Sequence, residues 1–351
     1  MEKKIVNIVG PIKNGTTLTG ALIDYHPQIS SFPLEMKFIT HLRKIPTQKL
    51  NTEEFKKKFL METKIKYLLN KDNSDEHINI NLGIFEKPIK FNYELFKETF
   101  IKKETRNIEE FIIKIHESLD LSLGIKPRNL IVIQDGNHLL KNKLIEFSMD
   151  NLKYAEFIVI YRNPLDVYVS YRTYSENLKI WRNNILNFVT DTLNNYLYLI
   201  YYKEKNLKNF HFLSYENLVN NCGNEMQKLC DFLKVKYSNT LNEPTILGSK
   251  WTSNSSSVNK TDKVVKINVD KYKDHLNEIE QKFIFFNFNS IFYSLYPAIQ
   301  KTKERIKRSE IIFICLKSFK NNTKKNWKLY LKFFIVLKDI FLNILKNSLK
   351  V

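Results

Sequence analysis

Three groups of residues in this chain have the types and spacing to do chemistry. The first is Gly10-Pro-Ile-Lys-Asn-Gly-Thr-Thr17, which follows the β-branched run Lys4–Val9 and precedes an apolar stretch from Leu18 to Tyr25, a strand–loop–helix pattern. Successive backbone N–H groups in such a turn face one bound anion, and the positive end of the helix supports them. Lys13 adds a mobile charge, Gly15 permits close approach, and Thr16 and Thr17 add hydroxyl donors, a combination suited to phosphate or sulfate. An ordinary strand-to-helix turn capped by its Thr residues has the same composition. The nucleotide triphosphatase signature G-x-x-x-x-G-K-[ST] is incomplete: Gly10 and Gly15 have its separation, but Thr16 stands at the Lys position and Lys13 lies inside the turn.

The second group begins at Arg162, at the end of the strand-like run Ala155–Tyr161. Asn163 suits the cap of a following helix, Pro164 its first position, and Asp166 its third, where a negative charge complements the helix dipole. Ser170 falls about two turns further on. Arg162 can offer a fork to a phosphate with Ser170 donating beside it. An edge salt bridge for Arg162 and a hydroxyl satisfied by its own helix for Ser170 account for the same residues.

The third group consists of proton acceptors. Glu35, in Pro33-Leu-Glu-Met-Lys-Phe38, follows soon after the glycine turn. His138 and Asp135 lie in Gln134-Asp-Gly-Asn-His138, after the short apolar run Leu130–Ile133. Any of the three can act as a general base near a nucleophile, and a solvated turn histidine or a salt-bridged surface acid is the plainer account. His26, before Pro27, reads as the close of the first helix. Cys222, Cys230 and Cys315 are scattered structural thiols, and no His, Cys or acid cluster has metal-ligand spacing, so no metal is expected.

These groups need a scaffold. Strands are expected at residues 4–9, 130–133, 155–161 and 209–214, alternating with helices near 18–25, 140–152 and 224–233. That alternation implies an α/β fold, a three-layer domain whose central, mostly parallel sheet is flanked by helices and gathers its loops beyond the strands' carboxyl ends. Residues 50–72, 93–102 and 107–118 read as further helices, residues 242–259 as a polar loop carrying Trp251, and residues 269–288 as helical again. The expected organisation is one domain over residues 1–300 and a basic helical extension over 301–351.

The motifs together resemble the sulfotransferases that use 3′-phosphoadenosine 5′-phosphosulfate (PAPS). Ile12-Lys-Asn-Gly-Thr-Thr17 with His26-Pro27 is similar to that family's 5′-phosphosulfate loop, and Tyr161-Arg-Asn-Pro-Leu-Asp-Val-Tyr-Val-Ser170 to its 3′-phosphate motif. Phe212-Leu-Ser-Tyr-Glu-Asn-Leu218 resembles a later family segment, with Asn217 where an Asp is usual, and Gly248–Ser256 resembles a loop that closes over the nucleotide. The resemblance implies a P-loop NTPase-like fold and transfer of a sulfuryl group to a hydroxyl, or less readily an amine. It implies Lys13, Asn14, Gly15, Thr16 and Thr17 at the donor's 5′ end, Arg162 and Ser170 at its 3′-phosphate, and Lys250 and Trp251 as phosphate and adenine or lid contacts. Lys13 would also stabilise the leaving phosphate, leaving PAP as product without a metal. Glu35 stands where carbohydrate-modifying members carry a catalytic Glu, and His138 in the zone where small-molecule members carry a His.

Composition narrows the alternatives. The 351 residues carry a formal charge of +19, yet residues 301–351 hold 14 Lys or Arg against 3 acids. The body is therefore only mildly basic, which weighs against a nucleic-acid-binding protein, and no recognition module is present. An ATP-dependent phosphotransferase using the same loop is the rival enzyme, with Asp135 its only weakly placed metal carboxylate. The opening ten residues are too short an apolar run for a secretion signal, and no stretch of 18 apolar residues occurs, so a cytoplasmic location is expected. Trp327 to Lys350 has the pattern of a basic amphipathic helix, suited to an anionic membrane surface or to packing on protein. The expected acceptor is hydroxylated: a carbohydrate, a glycolipid or a small hydroxylated metabolite.

Overall fold

The computed structural model describes residues 3–32, 35–63, 65, 84–85, 91–136, 143–177, 184–252, 269–296, 307, 309–310 and 314. The chain divides into two compact units, residues 1–162 with 201–267, and residues 163–200 with 268–351.

The first unit is built on a five-stranded sheet of β1 (Lys4–Val9), β2 (Ile29–Ser31), β4 (Leu130–Gly136), β5 (Ala155–Tyr161) and β6 (Phe210–Ser214), in the order β2-β4-β1-β5-β6. Every pairing in it is parallel. Its central strands β1, β4 and β5 are short runs rich in Ile and Val and buried on both faces, as a parallel sheet covered by helices requires. Val6 and Ile8 of β1, Val132, Ile158 and Ile160 pack with Leu22 and Ile23 of helix α1 (Thr16–Ile23) and with Met226, Leu229 and Leu233 of the helix Cys222–Leu233. On the opposite face Ile5, Val9, Ile131, Ile133, Phe157 and Val159 are buried as well. The α/β class with a mostly parallel central sheet, expected from the sequence, is the class observed.

Strand β1 lies at the centre, between β4 and β5, so the loop that follows it emerges where β4 and β5 also end. Two differences from the expected elements affect the site. Strand β4 runs on through Gln134 and Asp135 to Gly136, where the sequence suggested a polar turn. Residues 245–252 form an antiparallel hairpin of β7 (Thr245–Ile246) and β8 (Ser249–Thr252), and β8 also pairs with β3 (Ile84–Phe85). A Gly/Ser/Asn-rich composition hid those strands, and the partner that β8 finds in β3 is distant in the chain. The hairpin is tied to the end of α1, where the buried Asp24 accepts from Thr245 Oγ1 at 2.8 Å and from the Gly248 N–H at 3.0 Å.

The second unit contains the helix Pro164–Asn177. Asn163 caps it as expected, its Oδ1 accepting from the Leu165 N–H at 3.0 Å. Asp166 does more than face the helix dipole: its two oxygens accept from the N–H groups of Asp270 and Tyr272, at 2.9 and 3.0 Å. Ser170 is buried on the same helix. Ring contacts of Phe188 with Tyr168, Tyr171 and Phe288 form an aromatic core in this unit. The described part of the C-terminal extension is limited to residues 307, 309–310 and 314, of which Ile314 is buried, so the helix expected over 327–350 lies outside the described residues.

Candidate active site

The glycine turn is shaped by close approaches on both sides. A Cβ on Gly10 would lie 2.5 Å from the Ile160 carbonyl oxygen, so only glycine lets the chain leave β1 across the end of β5. Gly15, at φ 105°, takes the left-handed conformation and the N-cap position of α1, and a Cβ there would sit 2.5 Å from the Tyr215 ring. No side chain caps α1. Its leading N–H groups therefore point, with the positive end of the helix dipole, into the turn that Lys13 and Asn14 form. Lys13 is also left-handed, at φ 63°, a strained state for a residue with a Cβ and one common at ligand-binding turns.

Arg162, only 5% exposed, ends β5 beside this turn. Its Nη1 donates to the Lys13 carbonyl at 3.3 Å, and its guanidinium carbon lies 4.3 Å from the centre of the Tyr215 ring. Tyr215, the first residue after β6, thus touches both Gly15 and Arg162 and joins the two motifs. Burial lowers the Lys13 ammonium to about 8, with the Glu35 carboxylate pulling it back up and Arg162 pushing it further down. Glu35 and Arg162 therefore both lie within electrostatic reach of Lys13.

Glu35 rests against the end of β4. A Cβ on Gly136 would fall 1.2 Å from Glu35 Oε1, so the carboxylate occupies the space that glycine leaves open. Lys37 Nζ approaches the same oxygen at 3.8 Å. Asp135, which the sequence offered as a possible acid, base or metal carboxylate, has another task. It is fully buried and accepts from the Ile39 and Thr40 N–H groups of helix α2 (Phe38–Leu42) at 3.2 and 3.0 Å, and from Asn7 Nδ2 at 3.3 Å. Burial pushes its carboxyl up to about 6, against the pull of those N–H groups, with the Glu35 charge adding to the rise.

The structure thus gathers Lys13, Asn14, Gly15, Thr16, Thr17, Glu35 and Arg162 in the first unit. Ser170 belongs to the second unit. Lys250 and Trp251 lie on β8, with Lys250 half-buried and Trp251 2% exposed and paired in register with Phe85. His138 lies outside the described residues. His26 is structural: its ring nitrogens engage the Lys236 carbonyl and the Gln28 N–H, and burial lowers its basicity. Burial raises the Cys222 and Cys230 thiols to about 11, which suits inert structural thiols. Among the described residues no group of three or more His, Cys, Asp or Glu is placed to hold a metal ion, and no helix is long and apolar enough to cross a membrane.

Residues 6–239 match the profile of the Sulfotransferase family. The chain belongs to the sulfotransferase family. The stretch that places it among the sulfotransferases includes the anion turn, Glu35, β4, Arg162 and Tyr215, and stops short of Lys250 and Trp251. Among solved structures this sulfotransferase is similar to the sulfotransferase domain of the Synechococcus PCC 7002 olefin synthase, at 14% identity and a TM-score of 0.50 over 82% of this chain and 96% of that one. It is also similar to the sulfotransferase domain from the curacin biosynthetic pathway, at 15% identity and a TM-score of 0.51 over 82% and 98%. At such identities the likeness is one of fold. No curated protein matches the chain.

Sequence reasoning passed over Tyr215 and Gly136. Both stand where a strand of the sheet ends, and that position was the available signal.

Proposed function

We propose that this protein transfers a sulfuryl group from PAPS to a hydroxyl acceptor, a carbohydrate or glycolipid being the class favoured by the placement of Glu35. The observation that carries the reading is the convergence of Lys13, Arg162 and the uncapped start of α1 on one turn, with Glu35 in electrostatic reach. The donor set suits PAPS: backbone N–H groups and an ammonium for a phosphosulfate, and a buried guanidinium beside the Tyr215 ring for a further phosphate. When bound, PAPS supplies the SO3 group and a phosphate leaving group.

The chain's own residues account for the rest. The α1 N–H groups and Lys13 orient the donor's charged end, and Lys13 meets the charge that develops on the departing phosphate oxygen. Arg162 holds the 3′-phosphate. Glu35 accepts the acceptor's hydroxyl proton as the new O–S bond forms. The tail's Lys-rich composition supports contact with an anionic membrane surface.

The test is incubation with sulfur-labelled PAPS and a panel of hydroxylated acceptors, with PAP binding measured by calorimetry. Label should reach an acceptor hydroxyl, Lys13→Ala should abolish turnover, and Arg162→Ala should weaken PAP by about 10- to 100-fold, the scale of a lost charge-assisted hydrogen-bonding group. Transfer from γ-labelled ATP in place of PAPS would overturn the reading.

A further inference from the structure

We propose that the end of β4 is a template for Glu35, with Asp135 and Gly136 acting as positioning residues for the proton-accepting carboxylate. The inference rests on the role given to Glu35 above and deepens it.

Three consecutive residues of β4 grip three parts of one short segment. The Gln134 carbonyl accepts from the Lys37 N–H at 3.0 Å. The Asp135 carboxylate accepts from Ile39 and Thr40, the second and third residues of α2. Gly136, at φ +70°, presents a bare Cα to Glu35 Oε1. Between these grips Lys37 sits in the left-handed region at φ 56°, a reversal that an isolated chain avoids and that surrounding bonds must hold in place. The reversal turns the chain so that the Glu35 carboxylate lies against Gly136 with the Lys37 ammonium 3.8 Å away.

Asp135 also fixes the segment relative to the anion turn. Its third donor, Asn7, lies on β1, which pairs with β4 in parallel register and runs directly into Gly10. The strand that delivers the anion turn and the strand against which Glu35 rests are thereby locked side by side through a buried carboxylate. In-line transfer needs the acceptor oxygen and the leaving oxygen on opposite sides of the donor's sulfur, with the base at the acceptor's proton, and misplacing one of these groups by about 1 Å costs on the order of 100-fold in rate. Capping of a five-residue helix alone would explain Asp135. It would not explain why the next residue is a left-handed glycine whose missing side chain is filled by Glu35.

The experiment is a pair of double-mutant cycles in the full chain, reading kcat with PAPS and an identified acceptor, PAP affinity, and the pH profile of kcat. Asp135→Asn leaves one oxygen where two accept, and Gly136→Ala places a methyl group on the carboxylate. Each should lower kcat at least tenfold, leave PAP affinity within about threefold, and move the acid limb of the kcat profile. In a Glu35→Gln background neither change should cost more than about twofold, because the group they position is gone. Equal losses in both backgrounds, or an unmoved acid limb in Gly136→Ala, would overturn the proposal while leaving Glu35 as the base. Should Glu35→Gln keep the parental kcat, the reading of Glu35 itself falls and the positioning claim with it. If Asp135→Asn does not fold, Gly136→Ala carries the same cycle.

Discussion

The role proposed for Lys13 needs a cation in a place that disfavours one. Burial brings its ammonium down to about 8 while Glu35 opposes that fall and Arg162 adds to it. The free protein therefore begins to lose the charge within the ordinary assay range, and it loses it on the alkaline side. PAP affinity should be level below about pH 7.5 and weaken by up to tenfold per unit above pH 8, read by calorimetry across pH 6.5 to 9.5. Lys13→Arg carries a guanidinium that stays protonated throughout, so its affinity should show no such decline, even if its absolute value differs. A wild-type profile flat to pH 9.5 would mean that Lys13 does not face the donor. Arg162 is held differently: its guanidinium carbon lies 4.3 Å from the centre of the Tyr215 ring, a cation–π contact.

At the scale of elements, the polar ends of strands carry as much of the design as their apolar middles. Asp24, at the end of α1, is pushed up to about 6 by burial, with Gly248, Thr245, Arg128 and Tyr25 opposing the rise. An acid whose folded pKa exceeds its unfolded value near 3.9 binds more protons folded than unfolded between the two, so stability falls as pH rises through about 4 to 6. Asp24→Asn keeps an oxygen for Thr245 and Gly248 and removes the titration. The slope of stability against pH over that window should shift in the positive direction by as much as about 1.4 kcal/mol per pH unit, one proton's worth, measured by urea unfolding at half-unit steps. An unchanged slope would place the Asp24 titration elsewhere. This contact also shows where sequence reading stops. The apolar runs of β1, β4, β5 and β6 and the Gly10–Thr17 turn were legible because local pattern determines them. The hairpin at 245–252 was not, because Asp24, Tyr25 and Phe85 hold it from more than 150 residues away. Tyr215 and Gly136 were given no role for the same reason: they matter through contacts, of Tyr215 with Gly15 and Arg162 and of Gly136 with Glu35, that no local spacing announces.

For the whole molecule, the distribution of charge makes the sharpest separable claim. Residues 321–351 hold seven Lys against a single acid, interleaved with Leu, Ile and Phe, while the residues that gather around the anion turn lie within 10–35 and at 162 and 215. A basic amphipathic segment gains on the order of 1 kcal/mol per lysine near an anionic surface, a gain that salt screens over a Debye length of about 8 Å at physiological ionic strength. Truncation after residue 320 retains Ile314, which is buried, and so leaves the packed start of the extension in place. The full chain should co-sediment with phosphatidylserine vesicles at 0.1 M salt and be released at 0.5 M, and the truncated chain should stay in the supernatant at both. PAP affinity should be the same for the two, since none of the residues placed around the anion turn is removed. Equal sedimentation of both chains would assign vesicle binding to the body of the protein, and release of neither by salt would make the contact apolar, in which case the lysines serve solubility alone.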